Sequence, residues 1–247
     1  MRAALKVRKI LKLLGSMIAG LVLLLLAVYV LWKISNARSF QFFGRIVARI
    51  EAREPVIALT FDDGPNPENA EFVLTVLQKH EVPATFFLNG AQIQEHMGIV
   101  RQIVRAGHGI GNHTYSHQHL LLKSPGFIRK EIVSTDSLIR QAGYTDPIYF
   151  RPPYCKKLLA LPFYLWRTNR ITITWNVEPE SYPEINRNSE NIVSHVLRHT
   201  QPGSIILLHP MYGLQSTRDA LEPIIEGLLS QGFQFVTVQD LLQYSQR

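Results

Sequence analysis

From Val56 onward, apolar runs rich in β-branched and aromatic residues alternate with stretches of helical periodicity, and this alternation constrains the fold more than any other feature. Seven runs read as strands: 56–61 (VIALTF), 84–88 (ATFFL), 109–112, 148–150, 171–175 (ITITW), 204–208 (SIILL) and 234–238 (QFVTV). Helical patterns occupy 68–80, 92–106, 125–142, 156–168, 189–200 and 217–231, and Gly107, Gly143 and Gly232 close three of them. Strands alternating with helices specify a parallel sheet covered on both faces, either closed as a barrel or open and doubly wound. In either form, ligands and catalysis gather at the carboxyl ends of the strands.

The segment ahead of this domain has a different character. Residues 1–53 hold 10 Lys/Arg and one acid, whereas 54–247 hold 16 basic and 18 acidic residues. The formal charge of +7 therefore sits on the tail, and the domain has no basic footprint of the kind nucleic acid requires. Arg2, Lys6, Arg8, Lys9 and Lys12 precede twenty uncharged residues, Leu13 to Trp32, which at helical rise cover a ~30 Å hydrocarbon core. The pattern predicts a basic cytoplasmic tail over 1–12, a membrane span over 13–32, a stalk over 33–54 and one domain over 55–247. Positive flanks stay inside, so the domain is expected outside the cytoplasmic membrane. A cleaved signal peptide is the competing reading, since Ser35-Asn36-Ala37 resembles a cleavage site, but the apolar stretch exceeds the usual ~7–15 residues. Cys155 is the single cysteine, so no intramolecular disulfide can form.

Against the predicted strands, the reactive residues fall at one end. Asp62 and Asp63 follow the first strand, His113 and His117 the third, Arg151 the fourth, Glu178 and Glu180 the fifth, and His209 the sixth. Two adjacent carboxylates at the end of a buried strand are costly unless a cation lies between them or one is protonated. His113 and His117 are four apart, so one turn or tight loop can aim both at one ion. With one of the two aspartates they make a two-His, one-carboxylate set that suits a divalent metal, zinc first and cobalt, nickel or iron as alternatives. The other aspartate is then free to act as general base, His209 to protonate a departing amine, and Arg151 to hold a carboxylate ionised. His195 and His199 repeat the spacing without a carboxylate partner and read as a solvated helix face.

Taken in order, these motifs resemble the polysaccharide deacetylase family, carbohydrate esterase family 4, over roughly residues 55–240. Thr60-Phe61-Asp62-Asp63-Gly64-Pro65 resembles its first motif, which implies that Asp62 is the base and Asp63 a metal ligand. His113-Thr114-Tyr115-Ser116-His117 resembles the second, which supplies the two metal histidines. Arg151-Pro152-Pro153-Tyr154 resembles the third, with the arginine on the base and the Tyr154 N–H at the oxyanion. Leu207-Leu208-His209 resembles the fifth, implying an acetyl-pocket leucine at Leu207 and the catalytic acid at His209. Two departures stand out. The fourth motif, D-x-x-D-W in the family, reads Glu178-Pro179-Glu180-Ser181-Tyr182, so the orienting Asp is either replaced by Glu178 or Glu180 or missing, and Tyr182 replaces the Trp. Cys155 stands where the family usually has Gly.

The resemblance implies a distorted (β/α)7 barrel behind one N-terminal transmembrane helix. It also implies a metal-dependent hydrolase that removes N-acetyl groups from an amino-sugar polymer such as peptidoglycan or a chitin-like glycan. The alternatives are a deacylase acting on a lipid-linked amino sugar and an inactive, metal-holding barrel that binds glycan. The two-His, one-carboxylate iron oxygenases fit neither the strand order nor TFDDGP.

Overall fold

The computed structural model of the chain describes residues 2–212 and 215–244. It opens with α1 (Arg2–Ser35), whose 25-residue apolar stretch Leu11–Ser35 keeps its leucines exposed and is long enough to cross a membrane by length and composition. The strands that follow are β1 (Ile46–Val47), β2 (Val56–Asp62), β3 (Thr85–Leu88), β4 (Gly109–Asn112), β5 (Thr172–Ile173), β6 (Ile205–Leu208) and β7 (Gln234–Phe235). Between and after them run α2 (Pro67–Lys79), α3 (Gly90–Glu95), α4 (Met97–Arg105), α5 (Pro125–Gln141), α6 (Ala160–Arg167), α7 (Pro183–Asn186), α8 (Ser189–His199), α9 (Gln215–Ser230) and α10 (Val238–Tyr244).

All pairing between these strands is parallel. The order β4–β3–β2–β6 is continuous, and β7 joins Val56 and Ile57 of β2. Single-residue bridges complete the ring: Phe150 pairs with Asn112 on one side and Thr172 on the other, and Val177 pairs with Ile206. The result is the expected distorted (β/α)7 barrel, its distortion lying where a strand has shrunk to one or two residues. Alternation sorts the side chains by period two. Ala58, Phe87, Ile173, Ile205, Leu207 and Trp175 fill the interior, while Leu59, Phe61, Phe86, Leu88, Ile206 and Leu208 pack outward on Val73, Leu77, Ile103 and Ile224 of the helices. Burying one such side chain contributes roughly 1.5–3 kcal/mol, which favours burial of the apolar residues Val56, Ile57, Leu59 and Phe61 of β2.

Several boundaries differ from the sequence reading. The run at 148–150 contributes only Phe150, and 171–175 only Thr172–Ile173. The run at 234–238 stops early because Thr237 caps α10, its Oγ1 accepting from Asp240 N at 3.2 Å and donating to Asp240 Oδ2 at 2.6 Å. The single helix expected over 92–106 is broken at His96 (φ −126°, ψ 39°) into α3 and α4. Residues 33–54 are joined to the barrel: Ile46 and Val47 pair with Thr172 and Ile173, and Val47 and Ile50 are buried.

Candidate active site

Asp62 ends β2 and Asp63 begins its turn, in the left-handed region at φ 68°. Thr114 (φ 69°), His117 (φ 55°), Tyr154 (φ 56°) and Cys155 (φ 58°) share that conformation, so five of the seven non-glycine residues with positive φ among the described residues cluster here. Such backbone costs of order 1–3 kcal/mol per residue and persists only where the surroundings fix it. Cys155 therefore occupies a conformation that glycine would adopt without strain.

The fixing groups can be named. His113 follows β4, and its Nδ1 lies 2.8 Å from the Arg151 carbonyl; a carbonyl only accepts, so Nδ1 carries the proton and Nε2 faces the aspartates with a free lone pair. The loop from Thr114 to His117 is held by Glu131 of α5, whose carboxylate accepts from Tyr115 N (3.0 Å), Ser116 N (2.8 Å) and Ser116 Oγ (3.0 Å). Asn112 accepts from Thr114 N at 2.9 Å and donates to Asp136 at 2.7 Å, and Arg170 grips Asp136 through both of its carboxylate oxygens. Gly111 makes room beneath: a Cβ there would lie 2.3 Å from the Phe87 ring.

In this setting Asp63 Oδ1 lies 3.2 Å from His117 Nε2 and 3.8 Å from His113 Nε2. It is buried and has no hydrogen-bond partner, which is the state expected of an atom reserved for a cation. Burial, and then the like charge of Asp62, raise the Asp63 pKa against the pull of His113 and His209. Burial lowers the pKa of both His113 and His117, outweighing the neighbouring carboxylates and keeping the rings neutral, as ligation requires. The donor set thus fits a divalent metal. Another group, His80 with Glu222 and Glu226, also lies within ligating reach, but it is open to solvent and Lys79 already holds Glu222 at 2.6 Å.

Asp62 is held differently. Arg151, 0% exposed, donates to Asp62 Oδ1 at 2.6 Å and to Thr60 Oγ1 at 2.9 Å, and its remaining nitrogens reach the carbonyls of Ile173 and Thr174. The guanidinium stacks over Phe87, 4.0 Å from the ring centre. Burial alone would raise the Asp62 pKa; Arg151, with His113 and His209, overrides it and holds the carboxyl below the ordinary range.

His209 follows β6. Its Nδ1 lies 2.5 Å from Glu180 Oε2, while Glu180 Oε1 accepts from His209 N at 3.2 Å and from Thr217 Oγ1 at 2.7 Å. Burial pulls the His209 pKa down, but the bond to Glu180 and the charges of Glu180, Asp62 and Asp63 push it up to about 9. Of the two glutamates left open by the sequence, Glu180 holds the histidine; Glu178 faces Arg38 at 3.1 Å. Tyr182 stands just before α7 with its ring 5.5 Å from His195, and no hydrogen bond, ion pair or ring contact joins it or Glu178 to the aspartates among the described residues. Leu207 is buried on β6 in register with Thr60. Tyr154 is 54% exposed and covers the rim, its ring 4.7 Å from His117 and 4.1 Å from His119. The sequence reading missed Glu131 as a holder of the loop, although an acid within the apolar stripe Ile128, Ile132, Thr135, Ile139 was a usable signal.

A sequence profile described as polysaccharide deacetylase matches residues 49–161. A peptidoglycan-N-acetylglucosamine deacetylase of Bacillus cereus is 38% identical over 192 residues, covering 76% of this chain and 69% of that protein. The chain belongs to the polysaccharide deacetylase family. Among solved members of that family, the Bc1960 peptidoglycan N-acetylglucosamine deacetylase superposes with a TM-score of 0.74 at 34% identity, covering 79% of this chain and 92% of that one. BA3943 of Bacillus anthracis, described as a pseudoenzyme of carbohydrate esterase family 4, superposes with a TM-score of 0.72 at 28% identity over 81% of this chain and 69% of its own. The family thus contains both deacetylases and a barrel without activity.

Proposed function

We propose that this deacetylase-family chain is a metal-dependent N-deacetylase of peptidoglycan or a chitin-like amino-sugar polymer, held outside the cytoplasmic membrane by α1. The observation that carries the reading is Asp63 Oδ1, buried without a hydrogen-bond partner beside the neutral rings of His113 and His117, one residue from a carboxylate that Arg151 keeps ionised. Asp63, His113 and His117 would hold the ion, zinc first. When bound, a divalent cation supplies Lewis-acid polarisation of the amide carbonyl and acidifies water.

The chain's own residues supply the rest. Asp62 takes the proton of the attacking water, and Arg151 fixes its orientation and charge. The backbone N–H of Tyr154 donates to the developing oxyanion. His209, carrying its proton because Glu180 stabilises the imidazolium, delivers it to the amine nitrogen as acetate leaves. Leu207 lines the acetyl pocket. The basic stretch Arg2–Lys12 keeps the amino terminus inside, so the barrel faces out, as a single-pass protein of the cytoplasmic membrane.

A second reading, deacylation of a lipid-linked amino sugar, draws on the contact between the anchor and the site: Lys157 N donates to the Ser35 carbonyl at 3.1 Å, three residues after Tyr154. The inactive scaffold is disfavoured by the intact set of Asp62, Arg151, His209 and Glu180. The test is acetate release from peptidoglycan and chitin oligomers after chelation and after reloading with zinc or cobalt. Release that disappears and returns with metal supports the reading; release indifferent to metal refutes it.

A further inference from the structure

The outer side of α6 and the segment from Phe40 to Gly44 make one apolar surface. Leu159, Phe163 and Trp166, at spacings of four and three, are 52, 46 and 51% exposed, and Phe40 and Phe42 are 48 and 40% exposed. Phe43 joins the two parts, its ring 5.4 Å from Phe163 and 6.1 Å from Trp166. The helix is held without this stripe, because Leu161 and Leu165 on its other side are already buried. A contiguous exposed patch of large aromatic side chains marks a contact surface.

Two observations identify what it contacts. The first is continuity with the apolar helix. Lys156 Nζ donates to Asn36 Oδ1 and lies 5.9 Å from the Trp32 ring, and Thr174 Oγ1 donates to the Arg38 carbonyl at 2.6 Å, so the end of α1 is fastened beside α6. Phe40 follows Ser35 by five residues, at most ~18 Å of chain. The second is charge. Residues 33–50 and 151–170 contain no Asp or Glu, and the segments that carry the patch supply Lys33, Arg45, Lys156 and Arg167, while Arg38 is taken up by Glu178. Aromatic side chains on segments that carry basic residues and no acids match the interfacial layer of an anionic membrane.

We propose that Phe40, Phe42, Leu159, Phe163 and Trp166 form a membrane-docking face, seated in the interfacial layer beside the point where α1 leaves it. The inference rests on the anchor reading of α1 and extends it. Docked this way, the barrel is fixed at two places, and the turn carrying Tyr154 lies next to the bilayer surface.

The test uses the full chain in nanodiscs of phosphatidylcholine and phosphatidylglycerol, with or without phosphatidylcholine brominated near the glycerol end of its acyl chains. Bromine quenches only tryptophans in the bilayer, and Trp175 is buried in the domain at 7% exposure. Trp166→Phe is expected to remove one part of the quenching and Trp32→Phe the other, with acetate release from soluble oligomers unchanged in Trp166→Phe. Quenching lost in Trp32→Phe but unchanged in Trp166→Phe would leave the anchor standing and overturn the docking face. The reverse pattern would remove the anchor and keep the face. A Trp166 signal that answers to chitin oligomers and not to brominated lipid would make the patch a sugar platform and overturn the proposal.

Discussion

Replacing Glu180 by Gln separates the acid from the rest of the site. His209 owes its pKa of about 9 to Glu180 in the first place, and to Asp62 and Asp63 after it, all working against burial. Gln preserves the size and an acceptor oxygen for Nδ1–H but removes the charge, so the pKa falls from about 9 back toward 6.5. The His209 side chain is 30% exposed, and solvent screening makes this the upper figure. At about pH 8 the protonated share drops from about 90% to about 3%, an activity loss of up to about 30-fold with little change at about pH 6. The assay is kcat/KM for acetate release from chitin oligomers across pH at fixed metal loading, and the alkaline limb moves to lower pH in the variant. Alkaline limbs that superimpose would refute the assignment of His209 as the acid. Stability follows the same sign: a raised folded-state pKa stabilises fully below about 6.5 and the contribution fades as pH rises through about 9, so melting temperature falls over that window in the unaltered chain and less in Glu180→Gln.

Further substitutions read other parts of the site. Arg151→Met leaves Asp62 buried and unpaired, so thermal unfolding should show a loss of about 3–5 kcal/mol. Activity should also require higher pH, because the Asp62 pKa rises without its partner. Glu131→Gln exchanges a carboxylate that accepts three hydrogen bonds from the His117 loop for an amide, and zinc affinity in a chelator-competition titration should weaken about 10- to 100-fold. His113→Ala should lose bound metal and activity together, read by elemental analysis of the purified chain.

Long, uniformly apolar strands were legible from the sequence, because β2, β3 and β6 are buried on both sides and need no partner to be recognised. The short ones were legible only in part: Phe150 and Thr172–Ile173 lie inside the runs read at 148–150 and 171–175 but form less strand than those runs suggest, and Ile46–Val47 was missed because its pairing with Thr172 and Ile173 is a tertiary effect with no local pattern behind it. The alternation left a closed barrel and an open sheet equally open, and the seven-stranded closure followed from the family resemblance of the motifs. Motif residues on strand ends could be placed because the turn chemistry of Asp63-Gly64-Pro65 and the spacing of His113 and His117 are local. Which glutamate serves His209 was not local. Glu178 and Glu180 differ by two positions, and Arg38, 140 residues away from Glu178, decides the matter by pairing with it.

The most direct test of the account compares Asp62→Asn with the unaltered chain at equal zinc content, measuring acetate release from N-acetylated chitin oligomers. The account predicts that the variant keeps its metal, since Asp63, His113 and His117 remain, and that acetate release disappears with the base. Undiminished release from metal-loaded Asp62→Asn would contradict it.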